Sequence, residues 1–312
     1  MKDTTLYTVS ELFLSQYSKM SRITYGSNLS DLCNYISDDM PIESITSLDL
    51  IRYMADVDSR DEIQSPVTYN KYIKVLRTFF NWCVKMDLIE KSPAKVLKVK
   101  NARHSVPKVK AMPDGVLYRL IDAAEERERE DNDPRPLALI LFLSDTGCRI
   151  GGAATLTRDR LKLNDPIVVR NHQRIYTVQL FEKGREEPNI YYFSEETAKV
   201  LRRWLINHSG PYVFGNNGQS IEANNLARYF RRFGKGVGCG SWGPHSLRHR
   251  KGHQAAKQFP LSIGAKLLNN SEEVFVKYYM PKQNQFVQEA AAQLFSNQIK
   301  NKQIIDLNGK TG

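Results

Sequence analysis

Apolar residues recur at helical spacing through most of the first hundred positions of the chain. The first pattern follows Thr8, the expected N-terminal cap, and consists of Val9, Leu12, Phe13 and Tyr17. The clearest pattern follows Ser65-Pro66 and places seven apolar residues on one broad stripe, namely Tyr69, Tyr72, Ile73, Leu76, Phe79, Phe80 and Cys83. We therefore predict that residues 6–98 are helical throughout.

The pattern changes in the middle of the chain, where strand-forming residues replace helical spacing. A helix is expected to begin near Asp114, and the apolar run 137–143, seven residues long, predicts a buried helix. β-Branched and aromatic residues then concentrate in three short stretches, 167–169, 175–181 and 190–193. Helical spacing returns from Glu195 onward. The predicted fold is mainly α, with an all-helical N-terminal domain and a mostly helical α+β domain that contains a small antiparallel sheet.

The length of the chain, 312 residues, exceeds one average domain and suits two domains that each bury a core. We predict a helical domain over residues 1–98, a basic linker over 99–111, a second domain over 112–300 and a flexible tail over 301–312. The linker is expected because this stretch contains Pro107 and shows no clear apolar periodicity.

The positive charge of the chain is large and unevenly distributed. The formal net charge is +11 and the pI is near 9.4. Residues 91–110 contain seven Lys or Arg and no acid, and residues 223–271 contain nine and again no acid. Solvated faces usually mix both signs, so these runs predict a surface that binds a polyanion. The pI alone does not separate DNA from RNA or from an acidic membrane surface.

Membrane and secreted classes are disfavoured by the sequence. No apolar stretch approaches the roughly 20 residues that a membrane-spanning helix needs. The N-terminus lacks the pattern of a signal peptide, so we expect a cytoplasmic protein. The cysteines are far apart and are expected to be reduced, structural thiols, namely Cys33, Cys83, Cys148 and Cys239.

Three short fragments carry residues suited to chemistry on a phosphodiester. They are Thr146-Gly147-Cys148-Arg149, then His245-Ser246-Leu247-Arg248-His249, and about thirty residues later the pair Tyr278-Tyr279. Arginines can neutralise the non-bridging phosphate oxygens as charge increases toward the transition state. A tyrosine can supply a nucleophile that becomes covalently attached, and a histidine can hydrogen-bond phosphate or move a proton.

The order, spacing and context of these fragments resemble the tyrosine recombinase (phage integrase) family, and residues 68–98 resemble its N-terminal core-binding domain. The resemblance implies that Arg149 and Arg248 clamp the scissile phosphate. It implies that His245 positions or deprotonates the nucleophile, or contacts the phosphate. It also implies that Lys183, at the tip of a hairpin between two predicted strands, protonates the leaving 5′ oxygen. His249 is interpreted as structural, and neither a metal ion nor another cofactor is expected.

The chain departs from the family pattern at two positions. Gly152 stands where the family usually has an acid three residues after the first arginine, so another group is expected to orient Arg149. Asn270 stands where the family usually has histidine or tryptophan, and its amide can still donate a hydrogen bond to phosphate but cannot act as an acid or base. Counting the family spacing of nine residues from Asn270 selects Tyr279 as the nucleophile, whereas counting from Asn269 selects Tyr278.

Several basic residues are candidates for DNA contacts. Three of them form a stripe on the helix that follows Pro66, two lie in the predicted linker, and three lie in the basic run near the catalytic motif; they are Lys71, Lys74, Arg77, Lys108, Lys110, Arg231, Arg232 and Arg250. A striped helix over residues 286–299 is expected either to dock into a neighbouring copy, as in the family, or to pack on its own domain.

The resemblance implies a site-specific DNA recombinase that clamps double-stranded DNA between two domains and forms a 3′-phosphotyrosyl intermediate. The implied assembly is a homotetramer on two DNA sites, joined by exchange of the C-terminal helix. Two alternatives stay open. One is a recombinase that has lost catalysis and acts as a DNA-binding accessory protein or repressor, which Gly152 and Asn270 favour. The other is a type IB topoisomerase, which would need no second DNA site.

We predict that DNA binding is strongly salt-dependent, because several phosphates must be neutralised and their counterions released. The measurement is a duplex-binding titration at low and at moderate salt. An affinity that does not change between the two conditions would contradict the predicted basic surface.

Overall fold

The computed structural model describes residues 4–63, 65–101, 110–181, 187–206, 208–216, 218–240 and 242–280. The chain divides into two units, Met1–Lys108 and Val109–Gly312. The first residues of the predicted linker lie against the first unit, since the Asn70 amide bonds both the carbonyl and the N–H of Lys100, each at 2.8 Å. Residues 102–109 lie outside the described part, so the extent of the linker stays a prediction.

The described part of the first unit is helical. Its α-helices are α1 (Leu6–Ser15), α2 (Lys19–Ile36), α3 (Ser47–Ser59) and α4 (Pro66–Lys85), with 3-10 turns at Ile42–Ser44 and Pro93–Val96. The apolar faces of these helices meet in one core, in which the rings of Phe13 and Phe79 pack edge to face at 5.3 Å. The stripe predicted after Pro66 supplies the α4 side of this core.

The prediction that Thr8 caps the first helix was wrong, and the cap is Thr5. The Thr5 hydroxyl accepts the main-chain N–H of Thr8 at 3.3 Å, and the Thr8 hydroxyl accepts the N–H of Thr5 at 3.1 Å. A reciprocal capping box of this kind needs two polar residues three positions apart. Thr8 is therefore the inner partner of the box and lies within the helix.

The described part of the second unit combines helices with one sheet. The helices are α5 (Asp114–Asp131), α6 (Arg135–Thr146), α7 (Ile150–Ala154), α8 (Glu195–Ile206), α9 (Ala223–Gly236), α10 (Pro244–Gln258), α11 (Leu261–Leu267) and α12 (Glu272–Tyr279). Strands β1 (Leu161–Val168), β2 (Arg174–Leu180) and β3 (Asn189–Ser194) form an antiparallel sheet in the order β1-β2-β3. The predicted fold class is confirmed. The predicted helix over 286–299 lies outside the described residues.

Helix α6 lies at the centre of the second unit. It contains the apolar run 137–143, and Leu137, Phe142 and Leu143 are almost fully buried. Helices α5, α8, α9 and α10 and strand β3 all pack against α6. The run serves as a core element, and no helix in the described ranges is long and apolar enough to cross a membrane. Because α6 is held on several sides, its C-terminal end occupies a fixed place in the unit.

Asp145 connects this end of α6 to the junction between β3 and α8. Its carboxylate accepts hydrogen bonds from the Ser194 N–H at 2.8 Å, the Ser194 hydroxyl at 2.6 Å and the Thr197 hydroxyl at 2.6 Å. Thr197 is fully buried. The carboxylate thus accepts hydrogen bonds from residues at the start of α8, and it connects the sheet to α6.

We predict that Asp145→Ala lowers the free energy of unfolding by about 2–4 kcal/mol, because three donors in a partly buried site lose their acceptor. Urea unfolding followed by circular dichroism measures the change. Asp165→Ala, at an exposed position of β1, is the matched control and should change stability by less than about 0.5 kcal/mol. Equal effects of the two variants would show that the Asp145 hydrogen bonds contribute nothing.

Candidate active site

The turn after α6 directs the first motif arginine. Gly147 ends the helix in the left-handed region, at φ 61°, which favours glycine. A Cβ atom here would lie 2.7 Å from Leu268 Cδ2 and 2.9 Å from Lys251 Cδ, so no side chain fits. Arg149 follows as the N-cap of α7, with its side chain exposed. The glycine thus lets the turn after α6 approach Lys251 of α10 and Leu268 after α11, and Arg149 follows directly from this turn.

Arg248, on α10, is the residue around which the site is assembled. It is only 3% exposed. Nη1 donates to the Gly147 carbonyl at 2.7 Å, and Nη2 donates to the Leu268 carbonyl and to Asn270 Oδ1, both at 2.8 Å. Nε donates to the Tyr279 hydroxyl at 3.3 Å. One guanidinium therefore links the end of α6, the end of α11 and the end of α12.

Asn270 joins the two motif arginines. Its Oδ1 accepts from Arg248 at 2.8 Å and from Arg149 Nη2 at 3.4 Å. Because arginine only donates, these contacts fix the amide orientation and leave Nδ2 as the group that faces away. Nδ2 is buried and has no hydrogen-bond partner within the described chain. The amide thus carries a buried donor that is turned away from both arginines.

Gly152, the other departure from the family pattern, also has a physical explanation. It is buried in α7, and a Cβ atom there would lie 3.3 Å from Leu180 Cδ1 of β2. The close approach of α7 to β2 leaves little room for a carboxylate side chain. Asn270 is one group that contacts Arg149, at 3.4 Å, and the expectation that another group orients Arg149 stays a prediction.

The two candidate tyrosines have different surroundings. Tyr279 is 4% exposed, and its hydroxyl accepts a hydrogen bond from Arg248 Nε. Tyr278 is 38% exposed, and Lys277 Nζ lies 5.6 Å from its ring centre. The structure brings Tyr279, and not Tyr278, together with Arg248 and Asn270. This agrees with the spacing counted from Asn270.

The histidines of α10 lie in a positive environment. Desolvation, together with the charges of Arg248 and Arg149, lowers the pKa of His245, whose side chain is exposed beside them. Burial, with His245, His253 and Arg248 nearby, lowers the pKa of His249 to about 4. Both rings are therefore neutral near pH 7, and a neutral ring can accept a proton.

Sequence reasoning missed Gly252 and His253. Both lie against Tyr279, and the His253 ring meets the tyrosine ring edge-on with centroids 6.3 Å apart. The available signal was helical periodicity, because positions 245, 248, 249, 252 and 253 fall on one face of α10. That signal becomes specific only when the partner of this face is known.

Lys183 lies outside the described residues, in the connection between β2 and β3. The base of this connection is described, since Leu180 pairs with Asn189 in the antiparallel ladder. Beside it, Asn269 Nδ2 donates to the Ile190 carbonyl at 3.0 Å. This end of the sheet therefore lies next to Asn269, and the role of Lys183 stays a prediction.

Two of the three basic residues in the stripe on α4 are exposed, and the third is held by a hydrogen bond within the first unit. Lys71 and Lys74 are exposed, as predicted for residues that contact DNA. Arg77 is half-buried and donates to the Leu97 carbonyl, so it also holds the chain that follows α4. The DNA contacts of all three residues stay predictions.

The other DNA-binding candidates belong to the second unit or to the linker. Arg231 and Arg232 are exposed on α9, and Lys110 is exposed at the start of the unit. Arg250 forms an ion pair with Asp114 at 2.7 Å, which offsets part of its charge. Lys108 lies outside the described residues. Their DNA contacts, too, stay predictions.

Three comparisons with known proteins bear on this site. A model described as the phage integrase family matches residues 110–285. Tyrosine recombinase XerC of Thermodesulfovibrio yellowstonii (strain ATCC 51303 / DSM 11347 / YP87) is 23% identical over 189 residues, which cover 60% of this chain and 61% of the relative. The matched part therefore spans about three fifths of that relative's length.

Two solved structures share the fold at low sequence identity. The XerH site-specific recombinase bound to palindromic difH substrate, a post-cleavage complex, aligns with a TM-score of 0.66 and 20% identity over 88% of this chain and 79% of that one. A λ integrase(75–356) dimer bound to a COC′ core site aligns with a TM-score of 0.65 and 14% identity over 90% of this chain and 97% of that one.

We predict that His249 makes stability pH-dependent. Its pKa in the folded protein, about 4, lies below its ordinary value of 6.5, so the unfolded chain takes up the proton first as the pH falls. The free energy of unfolding should therefore decrease between pH 6.5 and about 4 and be insensitive to this group above that range. Urea unfolding at several pH values measures the slope. His249→Gln should flatten the slope, whereas His172→Gln, at an exposed position, should not.

Proposed function

This chain belongs to the phage integrase (tyrosine recombinase) family, and we propose that it is a site-specific DNA recombinase that cleaves and rejoins strands through a 3′-phosphotyrosyl intermediate. One observation carries the proposal. The hydroxyl of Tyr279 accepts a hydrogen bond from Arg248, and the Asn270 side chain accepts hydrogen bonds from both Arg248 and Arg149. A nucleophile and two guanidinium groups thus meet around one amide oxygen.

In the proposed reaction, the scissile phosphate enters between Arg149 and Arg248. The two guanidinium groups donate to its non-bridging oxygens, and their contribution increases as negative charge accumulates in the transition state. Tyr279 Oη attacks the phosphorus atom and forms a new phosphorus–oxygen bond. The bond between phosphorus and the 5′ oxygen breaks, which leaves a 3′-phosphotyrosine and a 5′ hydroxyl.

Two proton transfers balance this step. The Tyr279 oxygen accepts a hydrogen bond from Arg248, so its own proton is available to a base. We assign that base to His245, whose lowered pKa keeps the ring neutral. Lys183 protonates the departing 5′ oxygen, the role that the family resemblance gives it. No high-energy cofactor is needed, because the new phosphotyrosine bond conserves the energy of the cleaved phosphodiester bond. In this proposal the two arginines, and not a metal ion, neutralise the phosphate.

Rejoining reverses these steps with a different strand. The 5′ hydroxyl of a partner duplex attacks the phosphotyrosine and releases Tyr279, so two DNA sites must be held together. We propose a homotetramer on two sites of double-stranded DNA, joined by exchange of the helix predicted over residues 286–299, and acting in the cytoplasm. The DNA-bound state of XerH and the DNA-bound dimer of λ integrase support an oligomer on DNA.

The alternative of a recombinase that has lost catalysis and only binds DNA has weaker support. Its sequence basis was Gly152 and Asn270, and each fits the site. Leu180 fills the space beside Gly152, and Asn270 bonds both arginines. A type IB topoisomerase would share the covalent step but would relax supercoils without a second site. A strand-exchange assay with one or two sites separates it from a recombinase.

We predict a covalent protein–DNA adduct on nicked duplexes taken from the DNA that flanks the gene of this protein. Wild type and Tyr278→Phe should form the adduct, and Tyr279→Phe should not, because it is the Tyr279 hydroxyl of this pair that accepts a hydrogen bond from Arg248. A denaturing gel shows the adduct directly.

Two other results would change the conclusion. An adduct lost only with Tyr278→Phe would move the nucleophile by one residue. Tight binding without any adduct would support a DNA-binding protein that has lost catalysis.

A further inference from the structure

The ring of Tyr279 is enclosed by one face of α10 and by its own helix. Its centroid lies 5.2 Å from those of His249 and Phe275, and 6.3 Å from that of His253, which meets it edge-on. With the side chain 4% exposed, the ring belongs to a small core of its own. The position of the hydroxyl on Arg248 is therefore set by what surrounds the ring.

Gly252 forms the floor of this enclosure. A Cβ atom at this position would lie 2.3 Å from Tyr279 Cδ1, 2.6 Å from Cγ and 2.7 Å from Cε1. A rigid ring that close cannot be relieved by rotating a flexible chain end, so any side chain at position 252 must displace it. Helix propensity does not explain a glycine here, because alanine is favoured inside a helix. The close approach of Tyr279 does explain it.

His253 forms the side wall of the enclosure. Its half-buried ring meets the ring of Tyr279, the last residue of α12, edge-on. Burial lowers the pKa of His253, and interaction with the main chain of Tyr279 opposes this shift. The last carbonyls of a helix have no partner within that helix, so the imidazole N–H of His253 is suited to donate to one of them. His253 thereby connects the end of the nucleophile's helix to the helix that carries Arg248.

We propose that Gly252 and His253 are positioning residues for the nucleophile, and that together they hold the Tyr279 hydroxyl against Arg248. Neither residue touches the reacting atoms, and the proposal rests on the recombinase function. Gly252 sets how deeply the ring sits, and His253 fixes the end of α12. Because a misplacement of about 1 Å can cost about 100-fold in rate, a seat of this kind is a determinant of activity.

The first experiment measures, without DNA, how well the Tyr279 ring is enclosed. The protein is treated with tetranitromethane, and nitration of Tyr279 is compared with that of Tyr278 in the same peptide by tandem mass spectrometry. Wild type should show strong protection of Tyr279, because Tyr278 is 38% exposed and Tyr279 is 4% exposed. In Gly252→Ala the two tyrosines should become similarly reactive. Gly115→Ala, a helical glycine with open space around it, is the matched control and should behave as wild type.

The second experiment measures the consequence for chemistry. Gly252→Ala should slow single-turnover adduct formation by about tenfold or more at unchanged duplex affinity, since only the nucleophile moves. His253→Phe keeps an aromatic edge but loses the donor, and should also slow the adduct step. His253→Gln can still donate to the Tyr279 main chain and should restore much of the rate. A purely structural role would not separate these two variants.

Two results would overturn the proposal. One is an unchanged nitration ratio in Gly252→Ala, which would show that residue 252 does not seat the ring. The other is a faster adduct step in Gly252→Ala, which would mean that the enclosure restrains the nucleophile. Failure of the recombinase function is recognised separately, because the wild-type protein would then form no adduct while the nitration ratio still reports the seat.

Discussion

The hydrogen bonding of the buried Arg248 guanidinium is the interaction on which the site depends. Burying a charge is costly unless its donors are satisfied. Here its acceptors include two main-chain carbonyls, one amide oxygen and the phenol oxygen of Tyr279. These acceptors carry no formal charge. The site therefore keeps the positive charge of Arg248, which a carboxylate partner would have cancelled, and that charge is what an incoming phosphate needs.

The scaffold exists to hold those acceptors in place. The Gly147 carbonyl is available because α6 ends in the left-handed region, and α6 is fixed by packing on several sides. Asp145 anchors the same end of α6 to β3 through Ser194 and to α8 through Thr197. The Leu268 carbonyl and Asn270 come from the turn after α11. A buried arginine with acceptors from separate elements thus couples the packing of the second unit to the geometry of the site.

The two departures from the family pattern are consistent with one another. Without an acid at position 152, Arg149 has Asn270 as an acceptor, and that amide simultaneously contacts Arg248. Asparagine is suited to this because one end accepts from two cations and the other end remains a donor. A histidine or tryptophan could not bridge two guanidinium groups through an oxygen. The neutral residue at position 270 thus contacts both arginines without cancelling their charge.

The sequence by itself predicted helices and strands of this protein and the residues suited to phosphodiester chemistry. Helical spacing and β-branched stretches are local signals, and the motif residues could be identified by order and spacing. Local reasoning failed at Thr8, where a reciprocal pair of hydrogen bonds places the cap at Thr5.

Tertiary structure alone decided which of these residues come together. Adjacent residues on a helix point about 100° apart, so only packing shows that Tyr279 faces Arg248 while Tyr278 faces outward. Arg149 and Asn270 are 121 positions apart, and the floor at Gly252 becomes visible only when α12 lies on α10. Sequence periodicity says which residues share a face, whereas the partner of that face is set by long-range packing.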